Sequence, residues 1–190
     1  VTKITWRDAI VWCNAYSEMV GLEPVYYTDA DYTTPLRTST NDAVQSSNSA
    51  GSQDFPYIKA DTRGNTDYVN CTANGFRLPR AAEWTDAAKA GTSNKYAGTN
   101  DFNSIGDYAW TINNSANTIK AVATKLPNEW GLYDMNGNVA EFVYYSMFGS
   151  NFAGGNFLQN LEADRFCVDR YTSSTFAMIL HVSGIRLCQS

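Results

Sequence analysis

The chain is short of charge and of the residues that announce chemistry most directly. Only 17% of its 190 residues are charged, and 14 basic against 19 acidic side chains leave a formal charge of −5. No run of Lys or Arg gathers that small basic complement, which excludes a nucleic-acid partner, because gripping a phosphate backbone needs a clustered cationic face. His181 is the lone histidine, and Cys13, Cys71, Cys167 and Cys188 are widely spaced with no Cys-x-x-Cys pair, so a structural zinc site is not supplied. No apolar run approaches the roughly 20 residues of a membrane span. The opening VTKITW has no basic-then-apolar leader, and reads as a mature or trimmed product. The even cysteine count leaves two readings open, disulfides in an oxidising compartment or free buried thiols.

What is present points to one domain with a substantial core. Apolar residues make up 44% and aromatics 14%, including 12 Tyr and 5 Trp, a composition neither disordered nor coiled-coil. Tyr in the company of Ser, Asn and Thr is also the vocabulary of adaptable binding surfaces. The spacing predicts a helix over 5–20, capped by Thr5, with Ala9, Ile10, Cys13 and Tyr16 recurring at intervals of three and four. Gly21 stops it, and a short extended segment follows over 22–27. Residues 28–67 are dominated by Asp, Thr, Ser, Asn and Gly and read as loop. A strand over 76–78 leads through Pro79 into a second helix ended by Gly91, with Arg77 and Glu83 as paired scaffold charges. Beyond Phe142, short glycine-punctuated alternating segments read as strands, and the whole as an irregular α+β domain.

The densest signal is the stretch 131–142, GLYDMNGNVAEF. Asn136-Gly137 predicts the positive φ angles of a tight turn, extended by Asn138. Asp134 and Glu141 flank it, and two carboxylates around a bent backbone make the hard-oxygen surroundings that calcium prefers. A turn with solvated acids fits the same spacing.

Taken together, GFRLPRAAEW, PNEWGLYDMNGNVAEF, a GGNF and a terminal GIRL resemble, in the same order, the motifs of the formylglycine-generating enzyme family, the sulfatase-modifying-factor domain. VTKITWRDAIVWCNAYSEM looks like that family's first helix. The resemblance implies a C-type-lectin-like fold of two helices, small antiparallel sheets and long ordered loops. It also implies further strands before the first helix, so that 1–190 is a single lectin-like domain that is either a fragment or a shortened version. By the same correspondence, a structural calcium ion falls on the side chains of Asp134 and Glu141 and the carbonyls of Gly137 and Val139. A disulfide between Cys13 and Cys188 is implied too, with Cys71 and Cys167 unassigned.

Catalysis departs from the family pattern. Its oxidases use two cysteines just after the GGS motif to bind copper, whereas here only Cys167 lies in that region. The chain therefore resembles more closely a non-catalytic branch, the variable proteins of diversity-generating retroelements, which include treponeme surface lipoproteins. These diversify a carboxy-terminal segment, which corresponds to 157–183 and is rich in the residue types such diversification produces. What this implies is a receptor-like or adhesin-like domain presenting Phe157, Asn160, Leu161, Asp164, Phe166, Asp169, Tyr171, Thr172, Ser174, Phe176, Ile179 and His181 to a protein or glycan. Phe157, Phe166 and Tyr171 are the expected aromatic anchors. A cell-surface or extracellular location is implied, with a lipid anchor outside this chain as one route. Three alternatives stay open: a divergent structural segment at 157–183, a structural domain with no ligand of its own, and a copper-dependent formylglycine-generating oxidase.

Overall fold

A computed structural model describes residues 4–29, 31–39, 57–58, 72–146, 149–159, 166–169, 171–174 and 183–189. Helix α1 spans Trp6–Met19, and its start follows from a reciprocal cap: Thr5 Oγ1 accepts from the Asp8 backbone at 3.0 Å while Asp8 Oδ2 accepts from the Thr5 backbone at 2.7 Å. The inner face buries Trp6, Ala9, Ile10, Cys13, Asn14 and Ser17. Tyr16 is instead half-buried, stacked on Trp12 and tilted against Phe76.

Strand β1 (Tyr26–Tyr27) pairs antiparallel with β2 (Tyr57–Ile58). Strand β3 (Phe76–Arg77) leads into helix α2 (Ala81–Lys89), whose first turn is closed by Glu83 Oε2 accepting from the Arg80 backbone at 2.9 Å. It ends on Ala90, in the left-handed region at φ 50°, followed by Gly91 at φ 78°. A single 3₁₀ turn then runs into a third, four-residue helix, α3 (Ile105–Tyr108). That piece carries too few residues for periodicity to reveal.

The main sheet has the order β6-β5-β4-β7. Strands β4 (Ala140–Ser146) and β5 (Gly149–Ala153) form an antiparallel hairpin, β6 (Thr172–Ser174) adds antiparallel to β5, and β7 (Ser183–Gly184) runs parallel to β4. The sheets are antiparallel as expected apart from this one parallel pair. Strand β8 (Cys188–Gln189) returns to β3.

Strand alternation divides the core. Phe142 and Phe152 pack with Trp6, Ile10, Tyr26 and Leu78 against α1, while Val143 and Ala153 pack with Trp84, Ala88 and Met135 against α2. The sheet is thus clamped between the two helices, and the irregular α+β architecture of the lectin-like type stands. A third cluster, Tyr96, Ile105, Ala109, Phe166 and Cys167, lies beneath the loops.

Candidate functional site

The stretch 131–142 is the joint between the loops and the main sheet. Its positive φ angles fall on Gly131 (77°), Asp134 (55°), Gly137 (73°) and Asn138 (57°) rather than on Asn136. Asn136 is buried and donates to Ala97 O at 3.2 Å. Gly137 is obligatory for space as well as conformation, since a Cβ there would lie 2.3 Å from Trp110 O. Asn138 locks three segments together. Its N–H donates to Trp110 O at 2.8 Å, its side chain exchanges bonds with the Lys120 backbone at 3.0 and 3.2 Å, and its carbonyl accepts from Phe157 N at 3.0 Å.

Glu141 is 6% exposed and belongs to β4. Its Oε2 accepts from Trp84 Nε1 at 2.7 Å and from Arg186 Nε at 2.9 Å, and its Oε1 accepts from Arg186 Nη2 at 2.8 Å. Arg186 Nη2 also donates to Tyr133 O at 2.9 Å. Burial works against the Arg186 charge, but Glu141, with Asp134 contributing, outweighs it and holds the guanidinium more firmly protonated than usual. This one carboxylate therefore ties α2, the turn and the GIRL segment together. It is a structural ion pair, which the residue spacing alone did not reveal.

Asp134 is held differently. Its Oδ2 accepts from Ala123 N at 2.8 Å, whereas Oδ1 is buried with no hydrogen-bond partner. Among the described residues no group of three or more His, Cys, Asp or Glu could hold a metal ion, so an ion at this turn must draw on backbone carbonyls. Of the two carboxylates, Asp134 leaves Oδ1 unpaired, whereas Glu141, with about four acceptor positions, already uses three on Trp84 and Arg186.

The carboxy-terminal segment is anchored from inside. Phe157 is 6% exposed and Phe166 fully buried. Tyr171 is half-buried, its hydroxyl donating to Ala81 O at 2.7 Å and lying against Thr85 Oγ1. These side chains fasten the segment to the scaffold, which corrects their reading as ligand-facing anchors. The physical reason is that a large aromatic side chain gains more from burial, as Phe166 does beside Tyr96, Ile105 and Ala109, than from water. Asp169 is exposed. Thr172 and Ser174 lie on β6, at the edge of the main sheet, paired with Phe152 and Ser150. Asn160, Leu161, Asp164, Phe176, Ile179 and His181 lie outside the described residues.

The thiols are not joined as the resemblance implied. Cys13 and Cys188 are both free. Cys13 is sealed in the α1 core, where burial pushes its pKa up to about 12, while Cys188 sits in β8 opposite Arg77. Cys167 is buried, 3% exposed.

A helix-clamped, glycine-jointed small sheet carrying ordered loops defines a C-type-lectin-like domain of the formylglycine-generating type. The chain belongs to the sulfatase-modifying factor enzyme 1-like domain family, whose profile matches residues 1–187. Treponema denticola variable protein 1 superimposes over 100% of this chain and 71% of its own, with TM-score 0.78 and 29% identity. The crystal structure of CarF matches 98% of this chain and 66% of its own, with TM-score 0.70 and 25% identity. Chaperone protein LppX of Paenibacillus barcinonensis is 33% identical over 161 residues, 76% of this chain. The chain spans about half the length of that curated relative, 51%.

Proposed function

We propose that this is a non-catalytic binding domain that uses the lectin-type scaffold to display its carboxy-terminal segment, 157–183, to a protein or glycan ligand. The observation that carries the reading is the likeness to a variable protein over 100% of this chain, joined to the burial of Phe157 and Phe166, which fasten the described part of the segment from inside. Leu158 and Asp169 are its exposed members among the described residues, and Asn160, Leu161, Asp164, Thr172, Ser174, Phe176, Ile179 and His181 complete the proposed contact set. A rigid base beneath adaptable side chains lowers the entropy lost on binding. The name of the chaperone relative fits a binding rather than a chemical role. A surface or extracellular location belongs to the same proposal.

The oxidase alternative requires a reactive thiol pair, and Cys167 is buried. Titration with copper(I), with oxygen uptake followed on a cysteine-containing peptide, should give neither stoichiometric binding nor turnover; turnover would overturn the reading. In parallel, glycan and surface-protein arrays should show binding that Leu158→Ala, Asp169→Ala and His181→Ala together abolish. Binding that survives the triple variant places the site elsewhere.

The same proposal gives the joint a calcium ion, held by Asp134, Glu141 and the carbonyls of Gly137 and Val139, which would brace the turn without taking part in chemistry. Calcium should raise the melting temperature by several degrees relative to chelator, and Asp134→Ala should remove that increment. Identical melting with calcium and with chelator would leave Asp134 an ordinary turn residue.

A further inference from the structure

Arg186 belongs to the terminal GIRL motif, two residues beyond Gly184, which is the partner of Glu141 in the parallel ladder of β4 and β7. That register brings the arginine side chain back onto the joint. Its guanidinium meets Glu141 in a fork, Nε donating to Oε2 at 2.9 Å and Nη2 to Oε1 at 2.8 Å, and Nη2 also donates to the carbonyl of Tyr133 at 2.9 Å. Burial opposes the guanidinium charge, yet Glu141 and Asp134 both favour it. Two carboxylates and a backbone carbonyl are the oxygen donors that a divalent ion takes. Here an arginine draws on them.

The arrangement is exclusive by count and by charge. Glu141 accepts three hydrogen bonds, from Trp84 and Arg186, out of about four acceptor positions, and the fork engages both of its oxygens. A calcium ion that draws on Glu141 must displace an arm of that fork. Two cations on one carboxylate also repel at close range, and with Glu141 only 6% exposed little water or salt screens them. Asp134 and Glu141 bring two negative charges, of which Arg186 cancels one. Calcium affinity follows the charge of the ligand set, so the arginine stands where that affinity is decided.

We propose that Arg186 is a built-in competitor for the calcium ion of the joint: the guanidinium and the ion are alternative cations for Glu141, and the arginine sets how tightly calcium is held. The inference takes its ligand set from the calcium reading above and adds to it the residue that determines affinity.

Calorimetric titration of calcium chloride into the full chain, wild type against Arg186→Gln, tests it. Removing the guanidinium should tighten calcium binding at least about tenfold, to a Kd of about 100 μM or below. The gain should vanish when Glu141→Gln is added. Arg37→Gln, which removes an equal charge from an exposed pair with Glu18, should leave the wild-type affinity unchanged. Circular dichroism is followed in parallel, because loss of the ion pair weakens the fold. If Arg186→Gln is unfolded in chelator, calcium at about a hundredfold excess over that Kd should refold it and should not refold the double variant. Arg186→Gln that binds calcium no more tightly than wild type, a gain that survives Glu141→Gln, or an unfolded Arg186→Gln that calcium does not restore would each overturn the proposal. A wild type that takes up no calcium beside an Arg186→Gln chain that does would reject calcium as the native brace while upholding the competition.

Discussion

Asn14 shows how much one residue can hold. It is wholly buried on the inner face of α1, and its amide makes four bonds. Nδ2 donates to Tyr26 O at 2.7 Å and Leu36 O at 2.9 Å, and Oδ1 accepts from Val25 N and Tyr26 N at 3.1 Å. No helix or sheet neighbour stands ready to replace these, because β1 is only two residues long. Asn14→Ala should therefore strand several backbone groups in the core and cost about 3 kcal/mol or more, read as a lower urea midpoint with unchanged slope. A loss below about 1 kcal/mol would mean that water enters and takes over these bonds. Periodicity reads Ala9, Ile10 and Cys13 correctly but passes over Asn14, because a polar residue among apolar ones carries no signal until its partners are in place. Asp134 and Glu141 carry the opposite lesson. Their spacing is plain in the sequence, yet Arg186, which engages one of them, is far away along the chain.

At the scale of the element, α2 rests on a charge cluster at its first turn. Glu83 Oε2 and Oε1 accept from Arg77 Nη1 and Nη2 at 2.7 and 2.9 Å, and Arg80 Nη2 adds a bond to Oε1 at 2.6 Å. Burial alone would raise the Glu83 pKa, but the bonds from Arg77 and Arg80 outweigh it and bring it from its ordinary 4.5 down to about 2. A depressed carboxyl pKa stabilises the fold above the unfolded value, and that contribution is lost as pH falls from about 4.5 toward 2. At 1.36 kcal/mol per pH unit the full effect is at most about 3 kcal/mol. Glu83→Gln should accordingly lower stability by roughly 2 kcal/mol at pH 7, with the gap from wild type closing as pH approaches 2. A gap constant from pH 7 to pH 2 would show that the lost interaction is packing, not charge. The helices, with their caps and glycine stops, were readable because those signals are local. The two-residue strands β7 and β8 were readable only as strand-like texture. Their partners, β4 and β3, are set by contacts far away in the sequence, and the parallel direction of β7 has no local signature.

For the whole molecule, the motif order made the family and the lectin-type architecture legible, because each motif carries a glycine or ion-pair partner that this packing requires. The proposed display surface was less legible. Residue types suited to binding are the same ones that fill a core, and only burial separates Phe157 and Phe166 from Asp169. What joins these regions is the Glu141–Arg186 pair, where the sheet, α2, the turn and the carboxy-terminal strands converge on one carboxylate. With Glu141 8% and Arg186 27% exposed at the side chain, removing one partner leaves a largely buried charge. Arg186→Leu should cost about 3–5 kcal/mol, while adding Glu141→Leu to it should recover part of that loss, since an apolar pair incurs no charge desolvation. The double-mutant cycle, measured by urea unfolding, should give a coupling of about 2 kcal/mol or more. If the two effects simply add, the joint is held by its backbone turn and Trp110 contact alone, and the ion pair is incidental to how the carboxy-terminal segment is carried.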